Sequence, residues 1–528
     1  MTYRVLISDP LSEDGIYPLR EADNLEVDII TDLTPEELVK TIVDYDALLV
    51  RSQTKVTEEV IAAGKKLKII GRAGVGVDNI DLKAATEHGV IVVNAPDGNT
   101  NSAAEHTIAM LTALARKIPQ AYYALKNKKW DRKTYVGVEL KGKTLGVIGL
   151  GRIGREVALR AKGQRMNVIA YDPFLTDEKA EHIGVTKGTV EEIVQAADFI
   201  TIHTPLLKET KNLINQKMFD KMKPGVQLIN VARGGIINED DLYDAIVAGK
   251  VAGAALDVFE VEPAVDNKLL ELPEVIATPH LGASTVEAQE SVAIDVSQDV
   301  VRLFNGQPVK NPVNMPAVPK DIMKKIEPYF YLAEKLGRFL TNLTDEVIKE
   351  IKISYAGELH NLEVAPITRN TVKGLLKPHY GERINDVNAA YLAEQQGIVI
   401  NEHKTSHPKD FTNLIKVEIK TDTETKAIAG TLLKGFGPRI VQVEEYRVDL
   451  VPEGHLIYIH HKDQPGAIGR VGTELAKKGI NIATMQVGRK DIGGAAIMLL
   501  SVDEEVTDEE LQVLLDLKDI YKVSAVEL

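Results

Sequence analysis

Three side chains of complementary chemistry follow short apolar runs in the middle of the chain: Arg233 after VQLINVA, Glu262 within DVFEVEP and His280 after VIATP. A guanidinium can bind a carboxylate bidentately and polarise the reacting oxygen beside it. An imidazole is the usual proton carrier near neutral pH. A carboxylate next to that ring can orient it and stabilise its protonated form. The set suits a reaction that grips an acid by its carboxylate and moves one proton at the neighbouring carbon. Each residue alone has a plainer reading. A histidine after a strand is most often a surface or core residue, an arginine in a turn is usually a solvated charge, and Glu262 has Glu260 and Asp257 close by, as in an acidic loop. Their shared placement favours chemistry, because ligands of open α/β sheets bind outside the carboxyl ends of the strands and all three residues fall there.

A second pattern says what accompanies them. In TLGVIGLGRIG an apolar strand runs into Gly149-x-Gly151-x-x-Gly154, and a helix-like segment, RIGREVALRAKG, follows at once. Gly149 allows the tight turn, Gly151 removes the side chain that would block a pyrophosphate, and Gly154 lets the helix pack close to the sheet. The helix N-terminus offers free N–H groups and a positive dipole end to the phosphates. The next strand, NVIAYD, ends in Asp172, whose carboxylate can accept both ribose hydroxyls and would repel a 2′-phosphate. No Arg or Lys stands among Pro173, Phe174 and Leu175, so NAD is expected over NADP. A nicotinamide cofactor carries the hydride, which leaves the protein to hold the carbon and move the proton. His203 closes the run FITIH and is expected near the cofactor, whereas His106 lies inside a helical pattern and is expected to be packed.

The elements that must position these groups form four blocks. Residues 1–98 alternate short apolar strands with helical patterns, which implies a parallel sheet covered on both faces. A second α/β run holds the glycine turn and the strands FITIH, VQLINVA, AALDVF and EVIATP. Ser284-x-x-Glu287 predicts a capping box opening a long helix, and residues 305–320, rich in Pro and Asn, read as a linker. A third block, about 321–452, mixes the helix PYFYLAEKLGRFL with strands. The last, from about 453, reads βαββαβ, the ferredoxin-like order.

Composition narrows the partners. A length of 528 residues suggests roughly three to five domains. The net charge of −14 argues against nucleic acid or an anionic membrane as partner. The absence of cysteine excludes disulfides, thiolate metal sites and a cysteine nucleophile, and no metal centre is indicated. The start, MTYRVLISDP, enters a strand with no signal-peptide pattern, and no apolar run of about 20 residues occurs. A cytoplasmic protein is expected.

Taken together, LGVIGLGRIG with Asp172, INVARGG with Arg233, DVFEVEP with Glu262 and ATPHLGAST with His280 resemble the D-2-hydroxyacid dehydrogenase family. The resemblance implies that Arg233, Glu262 and His280 are the catalytic set. It implies that Arg152, Ile153, Thr204, Val231, Ala232, Asp257 and Gly282 lie with the three glycines around NAD. It also implies two doubly wound, Rossmann-like parallel-sheet domains: 1–98 with 285–315 for substrate and 99–284 for NAD, with a cleft between them.

The rest of the chain is similar to the long members of that family, with an α+β intervening domain (316–452, including GTLLKGFGPRIVQVEEYRVD) and an ACT domain (453–528). RSQTKVT, GRAGVGVDNID and WDRK match substrate segments of members acting on a phosphorylated acid, 3-phosphoglycerate. Such a substrate carries about three negative charges and requires several cations. Arg51, Ser52, Arg72 and Asn101 are implied contacts. The residue matching Arg132 reaches across from a neighbouring subunit, which implies a homo-oligomer, dimer or tetramer. HHKDQPGAIG and GINIATM match the ACT ligand loop, so Asp463, Gly466 and Asn481 are implied contacts to L-serine, although His461 stands there where related chains vary. Lys434 and Arg439 form either an anion site or solvated hairpin charges. Two other readings stand beside this one. A glyoxylate or hydroxypyruvate reductase would keep the triad but lack the arginines and the extra domains, and an NAD-sensing scaffold would carry disordered tails.

Overall fold

The computed structural model of the chain describes residues 2–407 and 410–528. Five short strands form a parallel sheet in the order Leu25–Ile29, Tyr3–Ile7, Ala47–Val50, Ile69–Arg72 and Ile91–Asn94. Ala47–Val50 is apolar and buried at every position, as a strand covered on both faces must be. One face packs on Ile16 and Leu19 of helix Glu13–Arg20 and on Val292, Val296 and Val300 of helix Val286–Phe304. The chain therefore leaves this core after its fifth strand and returns to it much later.

Two local expectations are corrected here. The returning helix is capped by Thr285, whose hydroxyl accepts from the Ala288 N–H at 3.2 Å, and not by a Ser284–Glu287 box. The Ser284 N–H is committed to the Leu281 carbonyl at 2.8 Å, inside the turn that carries His280. Nor is 305–320 a free linker. The Val313 N–H donates to the Val92 carbonyl at 2.7 Å, and the Asn314 side chain bonds the Val92 N–H and the Val90 carbonyl. This segment covers the outer edge of strand Ile91–Asn94, satisfying backbone groups that would otherwise face solvent.

Helix Thr100–Ala115 crosses from the first sheet to the second. Its Ala104, Met110, Leu111 and Leu114 share a core with Leu145, Val147, Phe199, Ile229 and Ala255. That second sheet has seven parallel strands in the order Val275–Ala277, Val251–Leu256, Val226–Asn230, Phe199–Ile202, Thr144–Ile148, Asn167–Tyr171 and Thr186–Lys187. Chain order reverses between Phe199–Ile202 and Thr144–Ile148, so a crevice opens at their carboxyl ends.

The third block is a six-stranded mixed sheet in which only Glu350–Gly357 and Val399–Thr405 pair in parallel. Helices Phe330–Thr341 and Ala365–Tyr380 pack on it and on each other. The sequence reading missed the second helix, whose Gly374 and Pro378 both lower helix propensity. Packing supplies the reason for the glycine. A Cβ on Gly374 would sit 2.0 Å from the Glu334 carbonyl oxygen, and one on Gly337 would sit 2.1 Å from that of Thr371. Two glycines let these backbones touch. The last block is the expected βαββαβ, with strand order Ile482–Arg489, Ala495–Val502, His455–Lys462 and Ile520–Glu527. Its helices Ala467–Lys477 and Asp508–Leu515 cover one face. On the other, Leu456, Tyr458, Ile497, Leu499 and Val526 share a core with Leu336, Leu340 and Val443 of the third block. Burying each such large apolar side chain contributes about 1.5–3 kcal/mol, so these two blocks are held by one continuous core.

Among the described residues, no helix is long and apolar enough to cross a membrane, and no group of three or more metal-ligating side chains converges.

Candidate active site

The glycine turn has the expected geometry, and each glycine has its own reason. Gly149 adopts φ +94°, and a Cβ there would lie 2.7 Å from the His203 carbonyl. A Cβ on Gly154 would lie 2.0 Å from the Gly149 carbonyl oxygen. Around Gly151 nothing lies within 4 Å of that position, and helix Arg152–Gly163 begins without a side-chain cap. Open space and uncapped N–H groups are what a pyrophosphate requires. Arg152 is ion-paired with Asp97 at 2.5 Å, and Ile153 follows it in the first helical turn. Asp172 accepts from the Leu150 N–H at 3.0 Å and the Phe174 N–H at 2.9 Å, one on each oxygen, which leaves lone pairs for a ribose. Leu150, Gly151, Asp172, Phe174 and Leu175 line a crevice of about 690 Å³, with Phe174 82% exposed beside it. The Thr204 hydroxyl is buried without a partner among the described residues. These residues fit NAD. His203 ends a strand beside the turn, its ring bonded to the Thr201 hydroxyl at 2.9 Å, and burial pushes the imidazole down to about 4.

The catalytic candidates converge at the neighbouring strand ends. His280 Nδ1 lies 2.9 Å from Glu262 Oε2, and the other Glu262 oxygen accepts from the Phe259 N–H at 3.1 Å. The bond to Glu262 raises the His280 imidazole against the opposing effect of burial. Burial works to raise the Glu262 carboxyl, but bonds from His280 and Phe259 hold it below the ordinary glutamate value. The His280 side chain is half exposed, and Nε2 has no partner among the described residues. Its backbone stands at φ +55°, a left-handed conformation rare outside glycine, with the N–H given to the Asp257 carbonyl at 2.9 Å.

Asp257 is the keystone of that turn. It is 1% exposed and accepts from Leu281 N–H at 2.7 Å, Gly282 N–H at 2.8 Å and the Thr278 hydroxyl at 2.5 Å. Burial works to raise this carboxyl too, and the bonds from His106, Thr278, Leu281 and Gly282 outweigh it. A Cβ on Gly282 would lie 2.9 Å from Val231 Cγ1, so the turn closes against Val231, and the Ala232 N–H is fixed by Asn230 at 3.0 Å.

Across the cleft, three guanidinium groups meet. Arg233 donates from Nη1 to the Ala232 carbonyl at 2.7 Å and from Nε to Asp78 at 3.1 Å. It enters the space left by Gly76, where a Cβ would lie 1.9 Å from Nη2. Arg72 has a buried Nε with no partner among the described residues. Burial, with the fields of Arg233 and Arg51, pushes it down to about 10. Like charges drawn together and offset only in part by Asp78 and Asp9 mark a place for a further anion. The Arg51 segment is pinned from beneath. Buried Asp9 accepts from the Arg51 N–H at 2.6 Å and the Thr54 hydroxyl at 2.6 Å, and Asn79 donates to the carbonyls of Arg51 and Thr54. Ser52 is exposed beside Arg51.

Some expected contacts do not assemble. Asn101 is exposed and accepts from Arg160 at 3.1 Å, not from Arg51, Arg72 or Arg233. Its neighbours Asn99 and Thr100 instead carry buried side-chain oxygens without partners. Arg132 is exposed and makes no bond to a described residue. Arg439 is occupied by the Phe436 and Pro438 carbonyls and by Asp449, so it forms no anion site with Lys434. In the last domain, Asp463 accepts from the Gly493 N–H at 3.2 Å, and Gly466 opens helix Ala467–Lys477 at φ +88°. Asn481 lies at the opposite end of that sheet, bonded to Asp503 at 2.8 Å. His461 is 2% exposed, with Nε2 buried and unpartnered near Asp463.

Asp9, Asp78, Asn79 and His106 were absent from the sequence reading of the site. For Asp78 and Asn79 the only sequence signal is their place in the matched segment GRAGVGVDNID, and Asp9 and His106 lie in no matched segment.

Fold and site define an NAD-dependent dehydrogenase of D-isomer 2-hydroxy acids. The family model for the D-isomer specific 2-hydroxyacid dehydrogenase NAD binding domain matches residues 108–282. That for the D-3-phosphoglycerate dehydrogenase intervening domain matches 325–444, and that for the ACT domain matches 455–519. The chain is 50% identical over 526 residues to D-3-phosphoglycerate dehydrogenase of Bacillus subtilis, covering all of both chains. It is 47% identical to the enzyme of that name from Archaeoglobus fulgidus, covering 99% of this chain and 100% of that one. The NAD+-bound 3-phosphoglycerate dehydrogenase of Entamoeba histolytica superposes with a TM-score of 0.51 at 31% identity, over 60% of this chain and 99% of that one. The chain belongs to the D-3-phosphoglycerate dehydrogenase family.

Proposed function

We propose that the chain oxidises 3-phospho-D-glycerate to 3-phosphohydroxypyruvate with NAD, the first step of the phosphorylated route to L-serine. The observation that carries this reading is the cationic corner, in which Arg72 is pushed down to about 10 by burial and by Arg233 and Arg51. A dianionic phosphate at one end of a short acid relieves that repulsion, and a carboxylate at the other takes Arg233. Arg51 and Arg72 bind the phosphate, with Arg132 of a second copy as a further donor. Asn99 and Thr100 take the part expected of Asn101 and, with Ser52, help fix the carboxylate side.

His280 gives its Nδ1 proton to the bond with Glu262, which leaves the Nε2 lone pair to accept the substrate hydroxyl proton. The O–H and C2–H bonds break, the C2 carbonyl forms, and Glu262 stabilises the resulting imidazolium. NAD, when bound, supplies the acceptor for the C2 hydride. Gly149, Gly151 and Gly154 with Arg152 and Ile153 would hold its pyrophosphate, Asp172 its ribose, and Thr204, Val231, Ala232, Asp257 and Gly282 its remaining length. The division 1–98 with 285–315, 99–284, 316–452 and 453–528 puts the cleft between the first two domains.

Two assembly features belong to the same reading. Helix Ile118–Lys126 and the turn after it expose Ile118, Tyr122, Tyr123, Leu125, Trp130 and Val136. Monomers seldom expose so many large apolar groups along one surface, which supports a homodimer or homotetramer joined there. L-serine is the proposed effector, held by Asp463 and Gly466 of one copy and Asn481 of another.

NADH formation from 3-phosphoglycerate, glycerate, lactate and 2-hydroxyglutarate tests the substrate. The phosphorylated acid is expected to dominate, and Arg72→Ala to reduce its kcat/KM by about 10–150-fold, the range for one bond to a charged group. Glycerate turned over as well as its phosphate would overturn the reading.

A further inference from the structure

The packed histidine of the crossing helix has more to do than fill space. His106 stands two turns into helix Thr100–Ala115, with its side chain 21% exposed. Its Nε2 lies 3.0 Å from the Thr278 hydroxyl oxygen and 3.2 Å from Asp257 Oδ1. Thr278 already gives its only proton to Asp257. The nitrogen therefore faces one carboxylate and one hydroxyl lone pair, both acceptors, and must carry the ring proton itself. Asp257 in turn receives the Leu281 and Gly282 N–H groups and offers its own carbonyl to the His280 N–H. His280 sits between these attachments at φ +55°, a conformation held only where the surroundings over-determine it.

The helix that carries His106 follows the last strand of the first sheet after a short turn, residues 95–99, and packs against the second. At its start lie the unpartnered oxygens of Asn99 and Thr100. One rigid element thus joins the substrate end of the cleft to the turn that presents the proton acceptor.

We propose that His106 is a positioning residue, whose Nε2–H fixes the Asp257–Thr278 pair and through it the orientation of His280. The inference rests on the dehydrogenase reading above. A role in packing alone would be met by an apolar side chain of similar volume. A positioning role needs a donor at the place of Nε2, which glutamine reaches and leucine does not.

Five forms of the full chain provide the test: wild type, His106→Leu, His106→Gln, Thr278→Val and the double variant His106→Leu with Thr278→Val, each assayed for kcat, KM, NADH binding by fluorescence and melting temperature. His106→Leu is expected to lower kcat about 10–100-fold, as loss of an outer partner of a working histidine does. KM and NADH affinity should change by less than about threefold, and His106→Gln should recover most of kcat. Thr278→Val is expected to lower kcat likewise, and the double variant with His106→Leu to be no worse than the weaker single one, since both break one junction. A leucine variant as active as wild type would overturn the proposal, and so would equal impairment of the Gln and Leu variants. Failure of wild type itself on 3-phosphoglycerate would strike the substrate reading and leave His106 to be tested on the acid that is turned over.

Discussion

Glu262 and His280, 18 residues apart, meet beside Arg233 within one chain, whereas Asp463 and Asn481, separated by the same 18 residues, stand at opposite ends of their sheet. The difference is topological. In the all-parallel second sheet every strand delivers its carboxyl end to the same edge, so residues just after successive strands become neighbours. In the last domain, strands His455–Lys462 and Ile482–Arg489 also run parallel, each pairing antiparallel with Ala495–Val502. Asp463 follows one and Asn481 precedes the other, so a full strand length separates them. A motif rule that holds for strand ends fails when one residue sits at a strand start.

The sharpest way to break the first half of this contrast is His280→Ala. Loss of the proton acceptor is expected to lower kcat by about 10²–10⁴ while NADH binding stays close to wild type, because the glycine turn and Asp172 are untouched. Stopped-flow turnover beside a fluorescence titration separates the two. Equal loss of both would mean that the imidazole anchors the cofactor instead of moving the proton.

Glu262→Gln asks a smaller and more specific question. The charge of Glu262 raises the His280 imidazole. Oxidation requires the neutral ring, so wild-type activity is lost as pH falls through that raised value, above the ordinary value of about 6.5. An amide keeps a hydrogen bond but removes the charge. The acid limb of the kcat profile should move to lower pH, while kcat on the plateau falls because the imidazolium is less stabilised. In the reverse direction activity needs the protonated ring, so its alkaline limb should move to lower pH as well. An unmoved profile would detach Glu262 from the titration.

How much of this was legible beforehand follows the same division between local and tertiary signals. The strand–turn–helix at Thr144–Gly163 was readable because each glycine answers a local demand, and the structure gives each a distinct clearance. The strand-end side chains were readable because the parallel sheet is itself announced by alternating strand and helix patterns. What escaped depends on partners far along the chain. Nothing in the periodicity around Gly374 or Pro378 announces a helix, since the benefit of Gly374 is the approach of the Glu334 backbone. Residues 310–314 read as a linker because their ladder partner, strand Ile91–Asn94, lies on the other side of the whole second domain. His106 carries no spacing signature and Asp257 was implied only as a neighbour of the cofactor, yet both hold the turn on which the histidine is presented. Asn99 and Thr100 cannot be told from Asn101 in the sequence, because polar residues at a helix start look alike until their facing is known.

The second half of the contrast predicts complementation. If a serine site uses Asp463 of one copy and Asn481 of another, then Asp463→Ala and Asn481→Ala chains each bind no serine at this site when pure. Mixed and reassembled, a hybrid pair unites the intact Asp463 of one chain with the intact Asn481 of the other. Random pairing in equal amounts makes half the dimers hybrid, each with one good site of two, so about a quarter of the wild-type serine binding should return. Isothermal titration of the separate and mixed preparations reads this directly. A site completed within one chain gives no recovery on mixing, because every chain in the mixture still carries one of the two lesions. That outcome would require the strand length between Asp463 and Asn481 to be bridged within one domain, against the pairing of Ile482 with Val502 and of Lys462 with Ala495.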